Sequence, residues 1–268
     1  MNENIEVLAD GLAFPEGPAF DPQGALWCVE LQGGGLARWR SGRCERFKTG
    51  GAPNGLTIDR RGRLWFCDSD DQINAIRRLL PESRQVETVC KAAAGRPLNK
   101  PNDLAFDAAG NCLFTCPNYS DAEPPGFVCC LRPDGEASVI GTDFQFCNGL
   151  ALTADGRSLV VAETQTNRLW KGPWDAAGCR WLAPQPWGDV SGPGGPGGPD
   201  GMAFGADGML YVAVYGSGQI KGSAPTAPCR TPMTCRARIP PIVRSTRRAS
   251  LAWSLPRPRG ACCLPCRT

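Results

Sequence analysis

Residues Pro101–Cys116 read PNDLAFDAAGNCLFTC: a polar pair, a short apolar alternation (Leu104, Phe106), a turn closed by Gly110 and a second apolar run. Aspartate favours entry into a tight turn, and glycine supplies the left-handed backbone that other residues resist. The stretch is therefore a β-hairpin. The same pattern recurs as PEGPAFDPQGALWCVE from Pro15, PNGLTIDRRGRLWFCD from Pro53, CNGLALTADGRSLVVAE from Cys147 and PDGMAFGADGMLYVAVY from Pro199. The turn glycines Gly24, Gly62, Gly110, Gly156 and Gly208 are 38, 48, 46 and 52 residues apart.

A unit of this length holds two clear strands and leaves room for two more, which describes a four-stranded propeller blade. A β-sandwich with coincidentally similar hairpins is the alternative, and five matches in phase weigh against it. The fold expected is all-β, a β-propeller with five blades evident. Trp27 and Trp65 hold the same strand position in two repeats and are expected in blade packing.

The phase also marks a candidate site. Eight residues before the five turn glycines stand Glu16, Asn54, Asn102, Asn148 and Asp200. Asparagine or aspartate before a strand commonly serves turn chemistry, but five copies in phase point further. In a propeller, equivalent positions are related by rotation about the central axis, so these side chains meet at one mouth of the channel. Carboxylates and amides form a hard-oxygen donor set, suited to one divalent ion, Ca²⁺, Mg²⁺ or Mn²⁺, with Zn²⁺ less favoured. Glu16 and Asp200 offset a divalent charge, and Asn148 adds a neutral carbonyl.

Composition narrows the chemistry. The 268 residues include no histidine, which excludes Ser-His-Asp and Cys-His catalysis and any His-ligated metal. No apolar run approaches the roughly 18 residues that cross a bilayer, and MNENIEVLADG at the N-terminus is unlike a secretion signal. A cytoplasmic location is the expectation. Ten cysteines scattered before residue 221, several inside apolar runs, are expected as free, small hydrophobes rather than a disulfide framework. Asp68, Asp70 and Asp71 are expected in a loop at the channel mouth.

The net charge of +3 averages two unlike pieces. Residues 1–221 carry 20 basic and 26 acidic side chains; residues 222–268 carry nine arginines, eight prolines, five cysteines and no acid. This division sets the expected organisation, a propeller domain over 1–221 and a basic Pro/Arg/Cys-rich tail over 222–268. The tail carries no further hairpin repeat, and its prolines do not suit a blade, since proline is confined to sheet edges and bulges. Arginine, proline, alanine and cysteine together are what a GC-rich gene yields when read out of frame, so a frameshift near residue 221 is the expected origin. A native basic tail for nucleic acid is the alternative, without the aromatic interleaving that would support it. Cys263-Leu264-Pro265-Cys266 is a solitary CxxC with no second pair, a weak metal signal.

The PEGP, PND, NGL and PDGM motifs, in this order and spacing, resemble the SMP-30/gluconolactonase (regucalcin-like) family over roughly residues 5 to 221. The resemblance implies a six-bladed propeller that hydrolyses sugar lactones with one divalent metal in the central channel. It implies Glu16, Asn148 and Asp200 as metal ligands, and Asn102 and Lys100 as substrate contacts. Asn54 would only line the channel. Asp200 would also activate the attacking water while the metal polarises the lactone carbonyl. The implied partner is a small-molecule sugar lactone, with neither nucleic acid nor membrane. A non-catalytic metal-binding or scaffolding propeller, and a propeller hydrolase of non-sugar lactones or esters, remain as alternatives.

Overall fold

The computed structural model describes residues 7–119, 123–190, 197–223 and 237–238. Each hairpin repeat opens one four-stranded antiparallel blade. Blade one is β1 (Pro15–Phe20), β2 (Leu26–Glu30), β3 (Gly35–Arg40) and β4 (Arg43–Lys48). Blade two is β5 (Pro53–Ile58), β6 (Leu64–Asp68), β7 (Ala75–Leu80) and β8 (Gln85–Cys90). A two-stranded ribbon, β9 (Ala92–Ala93) and β10 (Arg96–Pro97), leads into blade three. That blade is β11 (Leu104–Phe106), β12 (Cys112–Cys116), β13 (Gly126–Leu131) and β14 (Ala137–Phe144).

Blade four is β15 (Cys147–Leu152), β16 (Ser158–Glu163) and β17 (Arg168–Asp175), whose outer edge is shared by β18 (Arg180–Trp181) and β19 (Gln185–Asp189). Blade five is β20 (Pro199–Phe204), β21 (Leu210–Val214), β22 (Gln219–Ser223) and β23 (Ala237–Arg238). The Arg/Pro/Cys-rich segment thus supplies the short outer strand of blade five; its other residues, including Cys263 and Cys266, lie outside the described ones.

Strand alternation sends each blade's side chains to two neighbours. Trp27, Val29, Leu36 and Phe47 of blade one pack with Leu56, Leu64, Phe66 and Leu79 of blade two. The alternate residues of blade two, Trp65, Cys67 and Ile76, pack with Phe114, Cys116, Phe127 and Cys129 of blade three. Further cores join blades three and four through Leu113, Cys130, Leu150 and Val161, and blades four and five through Val160, Ala162, Leu210 and Val212. On its other side, blade one carries a small cluster of Leu12, Cys28 and Ala37.

The turn aspartates act as the sequence implies, and they reach further. Asp21 accepts the Gln23 and Ala25 backbone N–H groups and the Trp27 indole at 2.9 Å. Asp59 repeats the arrangement with Arg61, Arg63 and, at 2.8 Å, Trp65. Both tryptophans are buried in the blades as expected, their N–H groups satisfied. All ten described cysteines are free, and all but Cys44 are buried. Among the described residues no helix is long and apolar enough to cross a membrane.

Candidate active site at the channel mouth

Four of the five phased residues sit at a break in strand pairing. The register between inner and second strand shifts just after Glu16 on β1, and across Asn54 on β5, Asn148 on β15 and Asp200 on β20. A bulge bends the strand and re-aims its side chain, as is common beside functional sites. In blade three the inner strand starts later, at Leu104, and Asn102 is held by its N–H donating to the Thr115 carbonyl at 2.9 Å.

The chain enters three of these positions through the left-handed region. Phe14 (φ 57°), Lys100 (φ 44°) and Phe146 (φ 63°) each stand two residues before the site residue of their blade. Such backbone is costly for a bulky residue and persists where the surroundings enforce it. Acids closing the second strands hold the chain as it enters blades one, two and four. Glu30 accepts the Ala13 N–H at 2.9 Å, Asp68 the Ala52 N–H at 2.9 Å and Glu163 the Gln145 N–H at 2.7 Å. Asp68 is fully buried and paired with Arg77 at 2.6 Å, so it is a structural clamp rather than a mouth-loop acid. Three repeats end in an acid, which is the signal for these clamps in the sequence.

Glu16, Asn148 and Asp200 come together although they belong to three blades. The Asn148 amide donates to the Asp200 carboxylate, which leaves the amide oxygen as its available donor atom. Burial, then the neighbouring Asp200 and Asp103 carboxylates, push Glu16 from 4.5 to about 8. Asp200 is also raised by burial, against the opposing Asn148 bond. Among the described residues no three acid or thiol side chains gather in ligand geometry; the donor set is two carboxylates with amides.

Asp103 was not singled out by the motif phase. It follows Asn102 where the other repeats have Gly17, Gly55, Gly149 and Gly201, so the signal was one acid in a column of glycines. Its Oδ1 accepts the Leu104 N–H at 2.9 Å and its Oδ2 the Leu150 N–H at 3.3 Å, tying blade three to blade four. Burial raises it to about 7 despite those bonds.

Asn102 is buried and hydrogen-bonded to the Tyr119 phenol. Tyr119 is exposed, with the Lys100 ammonium 5.1 Å from its ring and Phe146 edge-on at 5.0 Å. Lys100 also pairs with Asp71 at 3.2 Å. Lys100 and Asn102 thus share a rim built around Tyr119, which the sequence pattern did not single out.

Residues 14–234 match the SMP-30/Gluconolactonase/LRE-like region. The chain belongs to this family. It is 32% identical over 240 residues to diisopropyl-fluorophosphatase of Loligo vulgaris, covering 78% of this chain and 74% of that one. It is 28% identical to the gluconolactonase of Zymomonas mobilis, over 79% of this chain and 67% of that relative. A solved gluconolactonase from Xanthomonas campestris superposes with a TM-score of 0.68 at 27% identity, covering 82% of this chain and 78% of that one. The family expected from the motifs is thus the one that matches, and the propeller expected from the repeats is the observed fold.

Proposed function

We propose that the chain is a divalent-cation-dependent hydrolase of lactones, with sugar lactones as the first class to test. The observation that carries this reading is the meeting of Glu16, Asn148 and Asp200 from three blades, where burial and then the neighbouring carboxylates raise Glu16 and burial raises Asp200. A cluster of that kind is what a divalent cation neutralises. The donors are carboxylate and amide oxygens, which fit Ca²⁺, Mg²⁺ or Mn²⁺. Glu16, Asn148 and Asp200 would hold the ion. When bound, it supplies Lewis-acid polarisation of the substrate carbonyl.

The chain's own groups do the rest. Asp200 takes a proton from the attacking water. As the acyl C–O bond breaks, the departing alkoxide receives that proton, and the lactone opens to a hydroxy acid. Asn102 and Lys100 offer N–H donors to substrate hydroxyls at the rim.

A second reading, hydrolysis of non-sugar lactones or phosphorus esters, is favoured by the 32% identity to a diisopropyl-fluorophosphatase. The deciding assay is a panel of aldonolactones, aliphatic lactones and diisopropyl fluorophosphate, run with EDTA and with cation restored. Cation-dependent opening of aldonolactones is expected. Cation binding without turnover of any substrate would instead make the chain a non-catalytic metal-binding propeller.

A further inference from the structure

Several buried polar side chains have no role in the chemistry above, and one of them bonds directly to the backbone of the site. Thr115, on β12, is fully buried. By strand register its counterparts are Val29 in blade one, Cys67 in blade two, Ala162 in blade four and Ala213 in blade five, none of them a hydroxyl. A hydroxyl at a position that is otherwise apolar or a thiol calls for a reason, because burying it without partners is costly.

Its partners are the backbones of the site. The Thr115 hydroxyl donates to the Asn148 carbonyl at 2.8 Å and accepts the Asp103 N–H at 3.2 Å. Its own N–H donates to the Asp103 carbonyl at 3.0 Å, and its carbonyl accepts the Asn102 N–H at 2.9 Å. The Asn102 carbonyl in turn accepts the Gly55 N–H at 2.6 Å. Thr115 therefore joins blade three's site residues to blade four's Asn148 and, through Asn102, to blade two. The Asp103 carboxylate runs parallel to this link through the Leu150 N–H.

We propose that Thr115 is a positioning residue of the site: its hydroxyl, fixed between the Asp103 N–H and the Asn148 carbonyl, sets where the Asn148 amide stands relative to Asp200 and Glu16. The proposal rests on the cation-dependent reading of the site. Groups behind a ligand commonly govern affinity by one to two orders of magnitude when removed. Thr115 stands behind Asn148 in that way, with no direct contact to substrate.

The test uses the full chain and three variants. Thr115→Val keeps the shape and removes the hydroxyl, Thr115→Ala copies blades four and five, and Thr115→Ser restores the hydroxyl. Calorimetric titration with Ca²⁺ or Mn²⁺ is read alongside kcat, KM and Tm. For Thr115→Val, cation Kd is expected to rise roughly 10- to 100-fold, kcat to fall by a similar factor and KM to stay within about threefold. Thr115→Ser should restore both to within about threefold of the parent. Parent-like cation Kd and kcat in folded Thr115→Val or Thr115→Ala would overturn the proposal while leaving the site reading intact. So would a loss of folding in both, with Thr115→Ser folded, since that makes the role purely structural. A parent chain that neither binds a divalent ion nor opens any substrate would overturn both.

Discussion

Two glycines at equivalent points of neighbouring blades should respond very unequally to one added methyl group. A Cβ built on Gly149 would lie 2.3 Å from the Asp200 carbonyl oxygen and 2.8 Å from the Gly201 Cα. A Cβ on Gly201 would meet nothing within 4 Å among the described residues. Carbon contacts settle at about 3.5 Å, so Gly149→Ala forces β15 and β20 apart by about 1 Å. The obstacle is backbone and cannot rotate away, which places the cost near the upper end of overpacking, about 3 kcal/mol. For a domain of this size that is about 6–12 °C in Tm. The same displacement separates Asn148 from Asp200, and an error of about 1 Å at a site can cost roughly 100-fold in rate. Gly201→Ala should stay within about 0.5 kcal/mol of the parent, because no described residue stands beside it. Differential scanning calorimetry of the two variants, with lactone turnover, measures both effects. A Tm loss in Gly201→Ala equal to that in Gly149→Ala would refute the reasoning, since a further strand would then have to pack against blade five. A neutral Gly149→Ala would refute the close approach itself.

Glu16→Gln and Asp200→Asn should abolish cation-dependent hydrolysis, and unchanged turnover in either would sink the site assignment. Without cation, Glu16→Gln should be more heat-stable than the parent, increasingly so as pH rises. The sign follows because folded Glu16 holds its proton up to about 8 against 4.5 ordinarily, so its stabilising contribution is complete below 4.5 and is lost as pH climbs to about 8. Tm measured in EDTA across that window tests it, and a difference that shrinks with pH contradicts it. Lys100→Ala should raise KM about 10-fold with kcat nearly unchanged, whereas a fall in kcat alone would remove Lys100 from substrate binding. Resequencing the gene around codon 221 should reveal a D-x-x-G hairpin repeat in another frame, and its absence would mean that the basic segment is native.

The blades were legible because a hairpin is a local object. Period-two alternation around Leu56 and Ile58, or Leu104 and Phe106, and an Asp-to-Gly turn specify strands within a few residues of one another. The phased positions were legible for the same reason: Glu16, Asn148 and Asp200 each stand eight residues before the turn glycine of their own hairpin. Asp68 was misjudged because an acid beside other acids looks solvated in sequence, whereas its arginine partner and buried backbone donor come from elsewhere in the fold.

By itself, then, the sequence determined the repeated hairpins, the common phase of their polar residues and the family to which the chain belongs. Only the tertiary structure decided that Asp103 stands against Glu16 and Asp200, that Tyr119 joins Asn102 to Lys100, and that Thr115 fastens two blades behind Asn148. It also decided which glycine is pressed against a neighbour and which has none among the described residues. These are relations between blades, set by how sheets twist and pack around a common axis. No local pattern encodes a distance across that axis.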